Sequence, residues 1–411
     1  MIQTKNFPKV RFKEFNDKWS MYHLSEILNE HKIRNIDNYK EVFSVAKQKG
    51  VINQIEHLGR SFSADDISNY KVVLENDVIY TKSPTADFPF GIIKQNKTNR
   101  KGVVSVLYAV FTPLNKYVGK LLDYYFSSPT NTFNYLIPLV NKGAKNTMNI
   151  SNTSFLNGEK INLPTDVNEQ QKITEFLDTI DHQISKLSLI VNLLQKYKKG
   201  MMQKIFSQKI QFKDMKAKQY KSWEKMRFGE VFERIVTKNI GNNTNVLTIS
   251  AQQGLVCQTD YFNKSVSSTN LTGYYLLKKN DFAYNKSYSA DYPMGAIKKL
   301  NHYNEGVVST LYICFRVKKG YSSEFFEQYF NAGLQNKEIS MIAQEGARNH
   351  GLLNIGVNDF FDVVILNVPK IDEQQKIAEC LLLQDDKINL AKKELEQAKM
   401  FKKGLLQQMF I

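Results

Sequence analysis

Two stretches of this chain carry apolar residues at alternating steps of three and four. In the first, Ile173, Leu177, Ile180, Ile184, Leu187, Val191, Leu194, Met201 and Ile205 follow this rule, with Lys198 as the interruption. In the second, Ile377, Leu381, Gln384, Ile388, Ala391, Leu395, Ala398, Leu405 and Met409 take the same offsets, with Lys402 as the interruption. Such spacing lines one face of an α-helix with a heptad seam. It predicts one helix over 166–208 and a second over 371–411. Pro164 closes the segment before the first helix. Asp166 and Glu169 have capping-box spacing, and Asp372 is the expected cap of the second. Snorkelling of Lys198 and Lys402 to solvent is the favoured reading of the two interruptions. A register-setting polar pair is the other.

The remaining residues, 1–165 and 209–370, alternate short β-rich runs with Gly, Asn, Pro and Asp. Val72-Val73-Leu74, Val78-Ile79-Tyr80 and Val103 to Phe111 are examples. These two regions are also copies of each other. Lys82-Ser83-Pro84-Thr85-Ala86-Asp87-Phe88-Pro89-Phe90-Gly91 returns as Lys286-Ser287-Tyr288-Ser289-Ala290-Asp291-Tyr292-Pro293-Met294-Gly295, an offset of 204 residues. Gly102-Val103-Val104-Ser105 returns as Gly306-Val307-Val308-Ser309, and Glu169-Gln170-Gln171-Lys172-Ile173 as Glu373-Gln374-Gln375-Lys376-Ile377. A period this long is a duplicated domain, because solenoid units run to about 20–50 residues.

The fold class predicted is α+β: two similar mixed α/β domains held apart by two long helices, with a pseudo-two-fold internal repeat. A helix of roughly 38 residues is about 57 Å long. Parallel pairing would force the second domain to bridge that whole length, so the helices are expected to pair antiparallel as a coiled coil.

Charge sharpens the picture. A formal net charge of +16 points to a polyanion, nucleic acid ahead of membrane. With 42% hydrophobic residues the chain is ordinary and globular. No stretch approaches the roughly 20 apolar residues of a membrane span, and the first ten residues are polar. Cys257, Cys314 and Cys380 lie far apart, outside any Cys-x-x-Cys spacing. A cytoplasmic, reduced chain without structural zinc is expected, its cysteines used for packing.

Catalytic signatures are missing. Asp87-Phe88-Pro89-Phe90 lacks the first proline of an amino-methyltransferase turn, and its repeat is Asp291-Tyr292-Pro293-Met294. No glycine-rich cofactor turn, phosphate-binding loop or histidine metal spacing occurs. Neither catalysis nor a resident cofactor or metal is expected in the chain.

With both repeats and both helices in place, the chain resembles the specificity subunit of type I restriction–modification systems. The most specific elements are the proline, Glu-Gln-Gln-Lys-Ile, heptads and Tyr/Phe-Lys-Lys-Gly-(Met/Leu)2-Gln, present twice over 164–203 and 369–407. The resemblance implies two target-recognition domains, 1–165 and 209–370. Each would read one half of a bipartite, asymmetric double-stranded DNA site. Helices 166–208 and 371–411 would set the unread gap and dock the partners. Those partners would be two adenine-N6 methyltransferase subunits and two ATP-dependent translocase–nuclease subunits. S-adenosylmethionine, ATP and Mg would belong to them. A self-contained methyltransferase or nuclease, and a non-catalytic coiled-coil protein-interaction scaffold, are the rival readings.

Phosphate contacts are expected from positions basic or polar in both repeats. These are Lys82 and Ser83 with Lys286 and Ser287, Lys94 with Lys298, and Ser105 with Ser309. Lys145-Asn146 and Arg348-Asn349, each after Gly-Ala, form another matched pair. Base readers should differ between repeats; Gln48, Lys49, Gln252 and Gln253 are candidates. Lys172 and Lys376, on the outer helix faces, are the expected contacts to partner subunits.

Overall fold

The structure is a computed structural model that describes residues 8–60, 63, 66–142, 148–250, 253–262, 270–289, 292–343 and 351–410. It divides into two compact units, 1–188 with 393–411 and 189–392. The units therefore cut both long helices, and each holds one β-rich repeat with half of each helix.

In the first unit a four-stranded antiparallel sheet runs in the order Leu28–Glu30, Ala109–Pro113, Val78–Thr81, Ile92–Gln95. Val78–Thr81 and Ile92–Gln95 are buried throughout, the mark of strands covered on both faces. One face carries the helix Lys116–Tyr125, which Asn115 starts by accepting from the amides of Tyr117 and Val118. The hairpin Phe43–Ala46/Gly50–Asn53 and the pair Lys71–Val73/Gly102–Val104 extend the core. Ser20–Tyr22 pairs with Ile161–Leu163 and closes the repeat.

The second unit repeats this order: Phe232–Arg234, Ile313–Val317, Phe282–Asn285, Ala296–Lys299, with the helix Ser323–Asn331 and a closing pair Glu224–Arg227/Ile365–Val368. Its core is aromatic. Phe228, Phe232, Phe282, Phe315 and Phe330 stack and meet edge to face at centroid separations of 4.4–6.1 Å.

The run Val103 to Phe111 is two strands, because Ser105 turns the chain. Its carbonyl accepts from the Tyr108 amide, and its hydroxyl accepts from that of Leu107. Ser309 does the same for Leu311 and Tyr312. These two serines are turn-formers in both repeats.

The long helices span Val167–Phe206 and Ile371–Met409. Within the first unit Ile173, Leu177 and Ile180 share a core with Met409 and Phe410. Within the second, Met202 and Ile205 share one with Ile377 and Leu381. In each unit the start of one helix meets the end of the other, which is antiparallel pairing.

Three details correct the expectations for the helices. Asp166 caps as expected, accepting from the Asn168 amide at 2.7 Å. Glu169 does not cap: it is buried, and its carboxylate takes the Arg11 guanidinium and the Trp19 indole. Asp372 lies inside the first turn of a helix that begins at Ile371. Lys198 and Lys402 do not snorkel. Lys198 Nζ donates to Asp385 Oδ1 (2.6 Å) and Gln328 (2.9 Å), and Lys402 Nζ to Asp181 Oδ1 (2.5 Å). Each is a polar pair across the helix seam.

Candidate nucleic-acid interface

Each repeat sends a loop out of the end of its central strand. In the first it runs from Lys82 to Phe90 and returns at Gly91. Gly91 has φ 105°, and a Cβ there would collide with the Thr81 carbonyl oxygen; Gly295, φ 72°, meets Asn285 in the same way. Only glycine brings the chain back this tightly. Beneath the loop, the buried Tyr80 hydroxyl donates to the Phe90 carbonyl (2.7 Å), as Tyr284 does to Met294 (2.9 Å).

Lys82 and Ser83 stand at the root of this loop. Lys82 is half-buried beside a cavity of about 430 Å³ with Tyr80, Phe90, Phe133 and Ile150. Burial lowers its pKa, while the Glu30 charge raises it. Ser83 is exposed. The tip of the hairpin Phe43–Ala46/Gly50–Asn53 reaches the same loop, since Lys47 forms an ion pair with Asp87. Gln48 and Lys49 are exposed on that tip.

In the second repeat Lys286 and Ser287 occupy the same root. The Lys286 carbonyl accepts from the Leu353 amide (3.0 Å), and the Tyr288 amide donates to the Gly351 carbonyl (3.1 Å). With Leu311 and Asn354 they border a cavity of about 400 Å³. Gln253 is exposed in the turn of the matching hairpin. Lys145, Asn146, Arg348, Asn349 and Gln252 lie outside the described residues. Their neighbours in the chain do not: Ile150 borders the Lys82 cavity, and Gly351 to Leu353 bond to the Lys286 segment. Lysine root and following segment therefore meet in both repeats.

Lys94 and Lys298 do not join this cluster. Lys94 is buried, donating to Asp123 Oδ1 (2.9 Å) and Ser127 (2.8 Å). Burial would raise the Asp123 pKa, but Lys94 and Lys97 outweigh it and hold that carboxyl at about 2. Lys298 is half-buried, bonded to Asn331 (2.9 Å). Both lysines face the helix that covers the sheet, so they clamp helix to strand and are withdrawn as DNA contacts. The signal in the sequence is the apolar pair before each lysine: Ile-Ile-Lys-Gln and Ala-Ile-Lys-Lys do not alternate apolar with polar as a half-exposed strand does, and each lies in a largely buried strand.

Lys172 and Lys376 are engaged within their own units. Lys172 is exposed, yet it forms an ion pair with Glu14 and lies over the Phe12 ring. Lys376 is half-buried and donates to the Lys213 carbonyl (2.6 Å). Each pins the segment that precedes its repeat's first strand.

Charge-based reasoning overlooked two matched apolar pairs. Ile36 and Ile240 are both 86% exposed, and Leu107 and Leu311 are 79% and 64% exposed. Each pair keeps the 204-residue offset, the signal that could have found them. On the helices Leu189, Leu193, Tyr197, Leu383 and Leu390 are likewise exposed. Of the three free cysteines Cys314 is buried, and burial beside Asp281 pushes its thiol up to about 12; Cys257 and Cys380 are half-buried. Among the described residues no helix is long and apolar enough to cross a membrane.

No protein-family model matches the chain. A Methanocaldococcus jannaschii protein, assigned as the MjaX type I restriction enzyme specificity subunit, is 23% identical over 265 residues. That match covers 60% of this chain and spans 58% of the relative's length. Among solved structures, the S subunit of a type I restriction–modification system from M. genitalium superposes with a TM-score of 0.56. It has 14% identity over 98% of this chain and 99% of that one. A chain from a structure addressing complex assembly and conformational transition of the type I system superposes with a TM-score of 0.53 and 14% identity, over 97% and 98%.

Proposed function

We propose, from the specificity-subunit fold that this chain has along its whole length, that it is the non-catalytic DNA-reading subunit of a type I restriction–modification system. Each repeat reads one half of a bipartite, asymmetric double-stranded site. The observation that carries this reading is the matched loop root. Lys82-Ser83 and Lys286-Ser287 leave equivalent strands and lie against the chain that follows residues 143–147 and 344–350. Phosphate contacts come from these lysines and from Lys145 and Arg348. Specificity comes from the hairpin tips with Gln48, Lys49, Gln252 and Gln253; Gln48 and Gln252 match, while Lys49 against Gln253 is the difference that two different half-sites require.

The two long helices set the unread gap. Their outer faces, with exposed Leu189, Leu193, Tyr197, Leu383 and Leu390, dock two adenine-N6 methyltransferase subunits. S-adenosylmethionine is bound there, and ATP and Mg by the translocase–nuclease subunits that complete a restricting complex in the cytoplasm. Mapping N6-methyladenine across the host genome with and without this gene tests the reading. Loss of one bipartite motif is the expected result. An unchanged methylation pattern, combined with sequence-independent binding by the purified chain, leaves the coiled-coil scaffold as the better account.

A further inference from the structure

The two repeats differ at one buried carboxylate. In the first, Glu169 is fully satisfied: Arg11 Nε donates to Oε1 (2.6 Å), Arg11 Nη2 to Oε2 (2.7 Å), and the Trp19 indole to Oε1 (3.1 Å). A guanidinium bridging both oxygens is the strongest partner a carboxylate finds in a protein. Arg11 arrives on Val10-Arg11-Phe12-Lys13, anchored where Phe12 meets Phe176 edge to face at 5.7 Å.

In the second repeat the carboxylate and the indole remain as Glu373 and Trp223, which line one cavity, and the indole acts to lower the Glu373 pKa. The arriving segment remains too, as Ile210-Gln211-Phe212-Lys213, with Phe212 packed against the core. Its arginine is now Gln211, and that side chain is exposed. Glu373 is only 4% exposed, and its Oε2 has no hydrogen-bond partner among the described residues. A buried, unpaired carboxylate oxygen is costly. Glu373 lines a cavity of about 170 Å³ with Gln211, Gln219, Tyr220, Ser222 and Trp223. Lys221 also borders it but is exposed to solvent.

We infer that this cavity is a receptor for the guanidinium of an arginine on a partner polypeptide, which completes at Glu373 the bridge that Arg11 makes at Glu169. The first repeat supplies the template: a main chain approaching from the surface delivers an arginine head to the carboxylate beside the indole. Glutamine is neutral and lacks the paired donors, so Gln211 leaves the position open at the cavity wall. Burial raises the Glu373 pKa while Trp223 lowers it, which fits a carboxyl that lacks a cation. The inference is independent of the DNA-reading role, since the cavity lies at the start of the second long helix and not at the loop roots.

Calorimetric titration of the full chain with a capped Ala-Ala-Arg-Ala-Ala peptide tests it. Saturable binding is expected, weakened at least tenfold in Glu373→Gln, with the lysine peptide binding at least tenfold more weakly. A second variant, Gln211→Arg, fills the cavity from within: it should abolish peptide binding and raise Tm by a few degrees. DNA affinity should be the same for all three proteins. The inference is overturned if the peptide does not saturate or binds Glu373→Gln equally. It is also overturned if the lysine peptide matches it, or if free L-arginine binds while the peptide is excluded.

Discussion

Lys402 Nζ lies 2.5 Å from Asp181 Oδ1, and its repeat counterpart Lys198 lies 2.6 Å from Asp385 Oδ1. The lysine sits on one long helix and the aspartate on the other, at the place where a lysine interrupts each heptad seam. In the first unit Tyr124 joins, donating to Asp178 (2.6 Å) and Asp181 (3.0 Å) with Lys402 over its ring. In the second, Gln328 takes that position and bonds both Lys198 and Asp385. A sliding helix would separate each lysine from its aspartate, so the pairs fix the axial register.

Lys402→Met should lower the stability of its unit by roughly 1–2 kcal/mol, because it leaves Asp181 part-buried without its cation. A double-mutant cycle with Asp181→Asn should return a coupling of at least about 0.5 kcal/mol in urea unfolding. Additive effects would mean that the pair does not specify register.

Asp123, held at about 2 by Lys94 and Lys97, makes stability depend on pH at the acid end. A depressed folded-state pKa contributes stability that is present above the ordinary carboxylate value and lost as pH falls through the folded value. The window therefore runs from about pH 4 down to about pH 2, with a contribution of order 2 kcal/mol. Asp123→Asn should lose roughly 3 kcal/mol at neutral pH, since Lys94 is left buried with weaker partners. Its urea midpoint should then fall less between pH 4 and pH 2 than that of the unchanged chain.

DNA binding should weaken with salt, log affinity falling with log salt at about 0.9 per phosphate contact. Lys82→Ala and Lys286→Ala should each reduce that slope by about 1. Lys94→Met, at the helix clamp, should lower stability and leave the slope alone. Titrations by fluorescence anisotropy at several salt concentrations separate these outcomes. An unchanged slope in both loop variants would remove the loop roots from the interface.

Inserting four residues after Ser188 adds about 6 Å of helical rise and rotates the chain by about 400°, so the apolar seam is roughly kept. In the methylation map of the assembled enzyme, the unread gap should lengthen by one or two base pairs while both half-sites persist. Altered half-sites would show that the helices do more than space the two readers.

By itself the sequence determined the duplication, the two long helices and the antiparallel sense of their pairing, because these follow from periodicity and chain length. A heptad repeats whatever surrounds it, and an offset of 204 residues needs no coordinates to see. Tertiary structure alone decided what the charged residues do. Lys94 and Lys82 look alike in sequence, yet one is clamped to Asp123 inside the fold and the other stands at an open loop root. Glu169 and Glu373 are read as the same residue of the same motif, but among the described residues a guanidinium reaches only the first. The physical reason is that an ion's role depends on which opposite charge and how much water lie within a few ångströms. Those neighbours come from segments some 30 to 220 residues away, which no local pattern records.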